Sequence, residues 1–424
     1  MDKLVIKGGN ALRGTIKISG AKNAMLPLMT AALLTDDTLT LENAPNLADV
    51  NQLAELLTIM GAKITFKDGT MAITCADIKS TTAPYEIVRK MRASILVLCP
   101  LVAKFGEAKV SLPGGCAIGT RPVDLHIKGL EALGAQVEIV DGYIHASAPK
   151  GLQGADFTFE KVTVTGTENI LMAAVLAKGR TRLYNAAYEP EVSDLANCLV
   201  SMGAKISGIG TTTLVIEGVE KLHAATHSVL PDRIETGTYA IAAAITGGEL
   251  ELTHTSVDLL PTFIQCLEKT GAKVTPTANG FVVAAGSKVK TCNIQTDPYP
   301  GFPTDLQAQF MALMTLANGE SNIKETIFEN RFMHVPELCR MGADITTNLR
   351  DANVKGVDKL TGAEVMATDL RASVSLVLAA LAAQGSTTIN RIYHLDRGYD
   401  NIDHKLAMCG AEVKRLREDN TPVL

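Results

Sequence analysis

The sequence predicts an α/β protein of two domains, each built from three similar units of βαβαββ type. At 424 residues the chain exceeds the roughly 250–300 residues at which a single hydrophobic core stops growing. A Gly-Ala dipeptide follows an amphipathic segment six times, beginning at Gly61, Gly134, Gly203, Gly271, Gly342 and Gly410. The intervals between these glycines are 73, 69, 68, 71 and 68 residues, so each interval marks one supersecondary unit of a repeat.

The first repeat shows which elements a unit contains. Apolar residues from Val50 to Leu57 recur at helical spacing, and Gly61 is placed to end that helix in a left-handed conformation. The alternating residues 63–66 predict a strand, and Asp68-Gly69 is a preferred hairpin dipeptide. Similar dipeptides occur at Asp141-Gly142 and Asn279-Gly280.

Each unit also contains a second helix that is rich in Ala, Leu and Met. Because apolar residues occupy nearly every side of these helices, we expect them to be buried, enclosed by the sheets and the outer helices. They are predicted over residues 24–34, 93–103, 170–177, 239–245, 306–316 and 372–383. A short apolar strand follows most of them.

Polar clusters stand at the start of each buried helix: Lys22-Asn23, Arg92 with Ser94, Thr167-Glu168-Asn169, Glu235-Thr236, Thr304-Asp305 and Thr368-Asp369. Asn, Thr and Asp are good helix caps, so capping is the simplest interpretation of most of them. Capping does not account for Lys22, Arg92 or Arg371, because the helix dipole disfavours a cation in the first turn. The favoured hypothesis is that an anionic ligand binds at these helix ends.

Composition and charge exclude several classes of partner. The net charge is −5 and no block of like charges occurs, which gives no support to nucleic acid or a membrane surface as a partner. The N-terminus lacks a signal peptide's apolar core, and no apolar run approaches the ~18 residues that span a bilayer. Eight cysteines without metal-ligand spacing predict reduced thiols. We expect a cytoplasmic protein, a monomer or weak homo-oligomer, with no metal or cofactor.

The segment 112–126 has the composition of a functional loop. Three glycines and two prolines surround Cys116, and no helical or strand periodicity survives there. Arg121 lies five residues further on and would favour the thiolate of Cys116. The alternative is a buried free cysteine in a connecting turn, and the loop alone does not decide between the two. A redox sensor is less favoured because no second cysteine is near in sequence.

Five motifs resemble those of the enolpyruvyl transferase family, in particular its members that act on UDP-N-acetylglucosamine. They are residues 20–24, 113–124, 303–309, 369–372 and 397–400, so the resemblance extends over the whole chain. It implies two inside-out α/β barrel domains. One is discontinuous, formed by residues 1–21 plus 230–424, and the other, residues 22–229, carries the Cys116 loop as a lid.

The resemblance also implies the reaction and the residues that perform it. The enolpyruvyl group of phosphoenolpyruvate would move to the 3′-hydroxyl of UDP-N-acetylglucosamine with release of phosphate, the first committed step of bacterial peptidoglycan synthesis. Cys116 would be the proton donor and could bond covalently to the substrate carbon. Asp305 would be the base for the sugar hydroxyl, although a carboxylate at a helix N-terminus is a weak base and would mainly orient that hydroxyl. Asp369 is a second candidate for proton transfer, with helix capping as an equal alternative.

The substrate contacts implied by the resemblance fall into two groups. Phosphoenolpyruvate would be held by Lys22, Asn23, Arg92, Arg121, Arg371 and Arg397, of which Lys22 and Arg397 would also act in catalysis. UDP-N-acetylglucosamine would contact Arg121, Pro122, Val123, Asp124, Leu125, Lys161, Val162, Thr163, Val164, Asp305 and Ile327. We expect His126, which follows the loop, to be structural.

Two other functions remain as alternatives at this point. One is the transferase of the same fold that acts on shikimate 3-phosphate, although it lacks the cysteine loop. The other is a non-catalytic ring of six repeats that binds nucleic acid. Such a ring would need cations spread over its surface, and the acidic balance of this chain argues mildly against it.

Overall fold

The computed structural model describes residues 2–112 and 123–422, so Cys116, Arg121 and Pro122 lie outside the described residues. The helices are α1 Lys22–Ala31, α2 Ala48–Met60, α3 Tyr85–Val88, α4 Leu98–Phe105, α5 Asp124–Ala132, α6 Val164–Ala174, α7 Pro190–Ser201, α8 Arg233–Ile245, α9 Pro261–Lys269, α10 Gln307–Met314, α11 Val335–Arg340, α12 Leu370–Ala382 and α13 Ile402–Met408. Short 3-10 helices cover Ala32–Leu34, Arg92–Val97, Val257–Leu259, Thr304–Leu306 and Ile392–Arg397. No helix in the described ranges has both the length and the apolar character needed to cross a membrane.

The strands are short and mostly five residues long. They are β1 Lys3–Lys7, β2 Arg13–Lys17, β3 Thr38–Glu42, β4 Lys63–Lys67, β5 Thr70–Thr74, β6 Thr82–Ala83, β7 Glu107–Ser111, β8 Gln136–Val140, β9 Tyr143–Ser147, β10 Asp156–Thr158, β11 Arg180–Tyr184, β12 Lys205–Ser207, β13 Thr213–Glu217, β14 Ala225–Ser228, β15 Glu249–Thr253, β16 Lys273–Thr277, β17 Gly280–Ala284, β18 Ile294–Gln295, β19 Glu320–Lys324, β20 Asp344–Asn348, β21 Asp351–Lys355, β22 Glu364–Met366, β23 Ser386–Asn390 and β24 Glu412–Leu416.

The described residues separate into two compact units, and each unit has its own hydrophobic core. Unit 1 comprises residues 2–19 and 231–422, and unit 2 comprises residues 20–112 and 123–230. In unit 1 the buried helices α8, α10 and α12 pack against one another, and in unit 2 α4 packs against α6. The amphipathic helices α2, α7 and α9 bury one face only, as their spacing predicts.

The same four-stranded sheet occurs three times in each unit. The strand before a buried helix pairs in parallel with the strand after it, and a hairpin completes the sheet, as in β6-β7-β9-β8 and β10-β11-β13-β12. The other sheets are β14-β3-β5-β4, β16-β17-β15-β2, β18-β19-β21-β20 and β22-β23-β1-β24. The prediction of six βαβαββ-type units is confirmed.

Three of these sheets contain a strand that is remote in sequence, one of them the sheet in which β1 pairs with β23 and β24. Strand β2 precedes α1 along the chain but pairs in parallel with β15 of unit 1. Strand β14 precedes α8 but pairs in parallel with β3 of unit 2. Each unit is therefore closed by a strand from before a chain crossing, and the crossings fall at residues 19–20 and 230–231.

The Gly-Ala glycines end the outer helices as predicted, since all six have φ between +88° and +117°. One hairpin differs from the prediction. Gly280 pairs with Thr277, so the turn residues are Ala278 and Asn279 rather than Asn279 and Gly280. A Cβ at Gly280 would lie 1.9 Å from the carbonyl oxygen of Leu252, which means that the close approach of a neighbouring strand requires this glycine.

The capping interpretation is correct for one of the named clusters and wrong for others. Asp369 caps α12, where its Oδ1 accepts hydrogen bonds from the amides of Arg371 at 2.9 Å and Ala372 at 3.0 Å. Helix α8 is capped by Asp232 and α6 by Thr163, both of which precede the predicted polar clusters. The apolar pattern placed these helix starts too late, because the first turns of buried helices carry polar residues.

Candidate active site

In unit 1, Asp305 is held between two arginines. Its Oδ1 lies 2.7 Å from Nη2 of Arg331, and its Oδ2 lies 3.0 Å from Nη2 of Arg371. Both arginine side chains are at most 5% exposed, whereas that of Asp305 is 25% exposed. Burial alone would lower the pKa of Arg371, but the Asp305 carboxylate raises it above its ordinary value. The arrangement is a charge-assisted cluster with one partly accessible carboxylate.

A hydroxyl and amide network supports Arg371 from the core. Nη1 of Arg371 lies 3.4 Å from the Tyr399 hydroxyl, which in turn lies 2.9 Å from the hydroxyl of Thr238 on α8. Nε2 of Gln309 donates to the carbonyl oxygen of Asp305 at 2.8 Å. Helices α8, α10 and α12 thus each contribute a polar group that fixes the Asp305 region.

A buried carboxylate, that of Glu325, links the Asp305 turn to Ile327. Oε1 of Glu325 accepts hydrogen bonds from the amides of Ile327 at 2.8 Å and Phe328 at 3.1 Å. Its Oε2 accepts from the hydroxyl of Thr304 at 2.8 Å, and Thr304 directly precedes Asp305. Two predicted contacts of the sugar nucleotide are therefore joined through one residue.

Asp369 and Arg397 both act electrostatically on His394. Burial lowers the pKa of His394, and Arg397 lowers it further while Asp369 raises it. Nδ1 of His394 is buried without a hydrogen-bond partner among the described residues. Arg415 forms two hydrogen bonds with Asp396, at 2.9 and 2.5 Å, which fix the 3-10 helix that ends at Arg397.

In unit 2, Lys22 begins α1 and is paired with Asp49. Nζ of Lys22 lies 2.8 Å from Oδ2 of Asp49, in the first turn of α2, and both side chains are largely buried. Among the described residues, no side chain caps the N-terminus of helix α1. The ammonium group of Lys22 therefore lies at an uncapped helix N-terminus, and half-buried Asn23 follows it. A helix end of this kind is suited to binding an anion.

Arg92 begins the 3-10 helix before α4, and it lies near His126. Burial lowers the pKa of His126 to about 4, and Arg92 contributes to that lowering. Nδ2 of Asn169 donates to the carbonyl oxygen of Ile95 at 3.0 Å and lies 2.9 Å from Nδ1 of His126. These contacts assign a neutral ring with its proton on Nε2. The prediction of a structural His126 agrees with this environment.

Three acidic residues lie near the N-terminal ends of α6 and α7. Burial raises the pKa of Glu168 well above its ordinary value, and Glu191 and Glu189 add to the effect. Within the described residues, no partner accepts or donates a hydrogen bond at Oε1 of Glu168. Nothing in the sequence pattern pointed to this group, because Glu168 looked like a helix-capping residue.

The remaining predicted nucleotide contacts differ in exposure. The side chains of Val123 and Leu125 are buried, whereas Asp124, the first residue of α5, is exposed. Lys161 is exposed, and Val162, Thr163 and Val164 are half-buried at the start of α6. Thr163 also caps α6 by accepting a hydrogen bond from the amide of Gly166 at 3.3 Å.

Sequence reasoning missed several residues that hold the candidate groups in place. They are Asp49, Glu325, Arg331, His394 and Tyr399. Arg331 lies outside the five motifs that resemble the family, and Asp49 resembled an ordinary acidic residue in the first turn of a helix. Within the described ranges, no group of three or more His, Cys, Asp or Glu side chains is placed to hold a metal ion.

Comparison with known proteins identifies the family. A family model described as EPSP synthase (3-phosphoshikimate 1-carboxyvinyltransferase) matches residues 6–406. The chain belongs to the enolpyruvyl transferase family. This membership agrees with the sequence motifs and does not support the nucleic-acid-binding ring.

Relatives of this enolpyruvyl transferase match along its entire length. UDP-N-acetylglucosamine 1-carboxyvinyltransferase of Paramagnetospirillum magneticum is 58% identical over 428 residues, covering 99% of each chain. The protein of the same name from Caulobacter sp. strain K31 is 56% identical, covering 99% of this chain and 98% of its own.

Solved structures confirm the fold of this enolpyruvyl transferase. The enolpyruvyl transferase NikO from Streptomyces tendae matches with a TM-score of 0.88 and 25% identity over 98% of both chains. EPSP synthase from Acinetobacter baumannii matches with a TM-score of 0.77 at 17% identity, covering 98% of this chain and all of its own. The prediction of two inside-out α/β barrel domains is confirmed at the level of the fold class.

Proposed function

We propose that this enolpyruvyl transferase moves the enolpyruvyl group of phosphoenolpyruvate to the 3′-hydroxyl of UDP-N-acetylglucosamine and releases phosphate. The observation that carries the proposal is the 58% identity, over 99% of both chains, to a protein named for this activity. The same activity would place the chain in the cytoplasm, at the first committed step of peptidoglycan synthesis.

The reaction joins two anionic substrates, and cations are needed to bind them. Lys22, Arg92 and Arg397 bind the phosphate and carboxylate of phosphoenolpyruvate, with Asn23 adding a hydrogen bond. Arg121 joins this set through its position in the cysteine-loop motif. The uncapped start of α1 supports the assignment of Lys22, because its backbone amides add partial positive charge there.

The addition step needs one proton delivered and one removed. The thiol of Cys116 donates a proton to the methylene carbon of phosphoenolpyruvate while the sugar 3′-oxygen bonds to the adjacent carbon. Loss of a methyl proton and departure of phosphate then restore the double bond. Alternatively, the Cys116 thiol first adds across the double bond, so that its proton goes to the methylene carbon and its sulfur to the adjacent carbon; the C–S bond then breaks, with the electron pair returning to sulfur, as the sugar 3′-oxygen bonds to that carbon.

Asp305 accepts the proton of the sugar hydroxyl late in the addition. Its two ion pairs stabilise the charged carboxylate, so its main contribution is to orient the hydroxyl. Oδ1 of Asp369 accepts hydrogen bonds from two backbone amides of α12, which favours the capping role over proton transfer. Arg371, which the family resemblance implies as a phosphoenolpyruvate contact, is almost completely buried and paired with Asp305, so in this scheme it acts through Asp305.

The sugar nucleotide is bound by backbone and polar groups of several segments. Ile327 supplies a backbone contact on a turn that Glu325 orders. Asp124 and Lys161 are the exposed side chains among the predicted contacts, whereas Val123 and Leu125 contribute through the backbone, since their side chains are buried. Pro122, Val162, Thr163 and Val164 complete the predicted set.

Phosphate release assayed with two acceptors tests the proposed function. We expect release from phosphoenolpyruvate with UDP-N-acetylglucosamine and none above background with shikimate 3-phosphate. Activity with shikimate 3-phosphate alone would instead establish the alternative transferase.

Two substitutions of the loop cysteine test its role. Cys116→Ala should abolish phosphate release with UDP-N-acetylglucosamine. Cys116→Asp retains a proton donor without the sulfur, so surviving activity in that variant would mean that the covalent bond is dispensable. Full activity of Cys116→Ala would overturn the role assigned to this residue.

A further inference from the structure

The carboxylate of Glu325 accepts four hydrogen bonds close to Asp305, yet the proposed chemistry does not use it. The residue follows β19 and is 1% exposed. Its Oε1 accepts three hydrogen bonds, from the hydroxyl of Thr296 at 2.9 Å and from the amides of Ile327 and Phe328. Its Oε2 accepts one, from the hydroxyl of Thr304. A buried carboxylate retained with four donors holds several segments in one geometry.

The hydrogen-bond network extends from Glu325 through Thr304 and Arg331 to Asp305. Nη1 of Arg331 lies 3.4 Å from Oγ1 of Thr304, and its Nη2 lies 2.7 Å from Oδ1 of Asp305. Because the Thr304 hydroxyl donates its proton to Glu325, its lone pairs face the arginine. Glu325 therefore determines the direction in which Thr304 accepts from Arg331, and Arg331 determines the position of one Asp305 oxygen.

The bonds from Oε1 order the backbone on the other side. The amides of Ile327 and Phe328 converge on one oxygen, which fixes the turn after β19. The same turn is also held by Arg350, whose Nη1 donates to the carbonyl oxygen of Thr326 at 2.6 Å. A charged acceptor for several donors is stronger than a neutral one, so the turn depends on the negative charge of Glu325.

We propose that Glu325 is a positioning residue that holds Asp305 and the Ile327 turn in register, so that a sugar nucleotide bound at Ile327 presents its hydroxyl to Asp305. The inference rests on the proposed function and deepens it. Glu325 does not touch substrate in this scheme. It acts on binding through the Ile327 turn and on turnover through Thr304 and Arg331.

The test compares Glu325→Gln with Glu320→Gln, an exposed position on the neighbouring strand β19. Glutamine keeps the shape but loses the charge, and its amide nitrogen cannot accept from Thr304. We expect kcat to fall about tenfold to a hundredfold and KM for UDP-N-acetylglucosamine to rise about tenfold, as for the loss of a charged hydrogen bond. KM for phosphoenolpyruvate should stay within about twofold, and Glu320→Gln should match wild type.

Thr304→Val separates positioning from a general loss of stability. The variant keeps volume but removes the hydroxyl between Glu325 and Arg331, so it should lower kcat and leave KM for the sugar nucleotide nearly unchanged. Combined with Glu325→Gln, it should lower kcat little beyond the single variant, because both changes break the same path.

Either of two results would overturn the inference. One is a Glu325→Gln enzyme whose kcat and KM for UDP-N-acetylglucosamine equal those of wild type. The other is an equal rise in both KM values together with additive effects in the double variant. Failure of the proposed function is distinguishable, because wild type itself would then neither release phosphate nor bind UDP-N-acetylglucosamine in calorimetry.

Discussion

Asp305 and Arg371 lie on different helical segments of unit 1 and are joined by an ion pair of 3.0 Å between Oδ2 and Nη2. The arginine is almost completely buried, so it has been removed from water at a cost that only its partners offset. Its second contact, the hydroxyl of Tyr399, is neutral. Asp305 is therefore both a candidate catalytic group and the counter-charge that makes a buried cation tolerable.

Arg371→Met should lower both stability and turnover. Asp305 would lose one of its two charged hydrogen bonds and keep its ion pair with Arg331, at a cost of about 2 kcal/mol in the free energy of unfolding. We expect kcat, measured by phosphate release, to fall at least tenfold. Stability is measured by urea unfolding followed by circular dichroism, because the sequence has no Trp for fluorescence. Arg340→Met is the control, since Arg340 is exposed and its ion pair with Glu337 is long at 3.9 Å, and it should cost about 0–1 kcal/mol. Equal effects of the two variants would contradict the prediction.

Lys22→Gln should raise KM for phosphoenolpyruvate at least tenfold and leave KM for UDP-N-acetylglucosamine nearly unchanged. The variant removes a largely buried charge at a helix N-terminus. Asp49→Asn should have the same selectivity with a smaller effect, because Lys22 would keep its charge and lose its anchor. Asp77→Asn, which breaks an exposed Lys-Asp pair, serves as the control. A change in KM for the sugar nucleotide alone would be incompatible with this assignment.

His126 should make stability depend on pH. Its pKa in the folded protein is about 4, below the ordinary 6.5, so the unfolded chain binds a proton first as pH falls. The contribution of neutral His126 to the free energy of unfolding is therefore complete above about pH 6.5 and is lost as pH falls toward 4. Between about pH 7.5 and about pH 5, wild type should lose about 2 kcal/mol more of its unfolding free energy than His126→Gln.

The comparison isolates His126 because His334, whose pKa is also lowered to about 4 by burial, is present in both proteins. The measurement is urea unfolding at the two pH values. Parallel pH profiles for wild type and His126→Gln would refute the prediction.

Cys292 should be unusually reactive for a buried thiol. A hydrogen bond from the Cys266 thiol lowers the pKa of Cys292, although burial opposes the effect. We expect the alkylation rate of Cys292 by iodoacetamide, followed by mass spectrometry of peptides, to rise with a midpoint below the ordinary pKa of a thiol. Cys266→Ala should move the midpoint upward, whereas Cys339→Ala, at an exposed cysteine, should not. An unshifted midpoint in Cys266→Ala would show that the thiol pair is not the cause.

The sequence predicted the repeat and its elements because these depend on local patterns. Gly61 and its five counterparts end helices through a backbone conformation that glycine adopts at little cost. The buried helices were recognisable from composition alone. The boundaries were less predictable, since Asp232 and Thr163 cap helices whose apolar runs begin later.

The partners of the candidate residues were not predictable in this way. Asp305 meets Arg331 and Arg371, which lie 26 and 66 residues further along the chain, and no periodicity encodes such contacts. Glu325 was missed for the same reason, because its four donors come from three segments that only the folded sheet brings together. The residue types were visible in the sequence, and the pairings required the fold.

The pairing of β14 with β3, and of β1 with β23 and β24, affects the order in which the sheets can form during synthesis. All described strands of unit 2 have been made once Ser228 has been added, so the sheets of that unit can form before any strand after β14 has been made. In contrast, β1 must wait for β23 and β24, which end about 400 residues later. Until those strands have been made, β1 lacks both of its native neighbours, and an unpaired strand is open to wrong pairing.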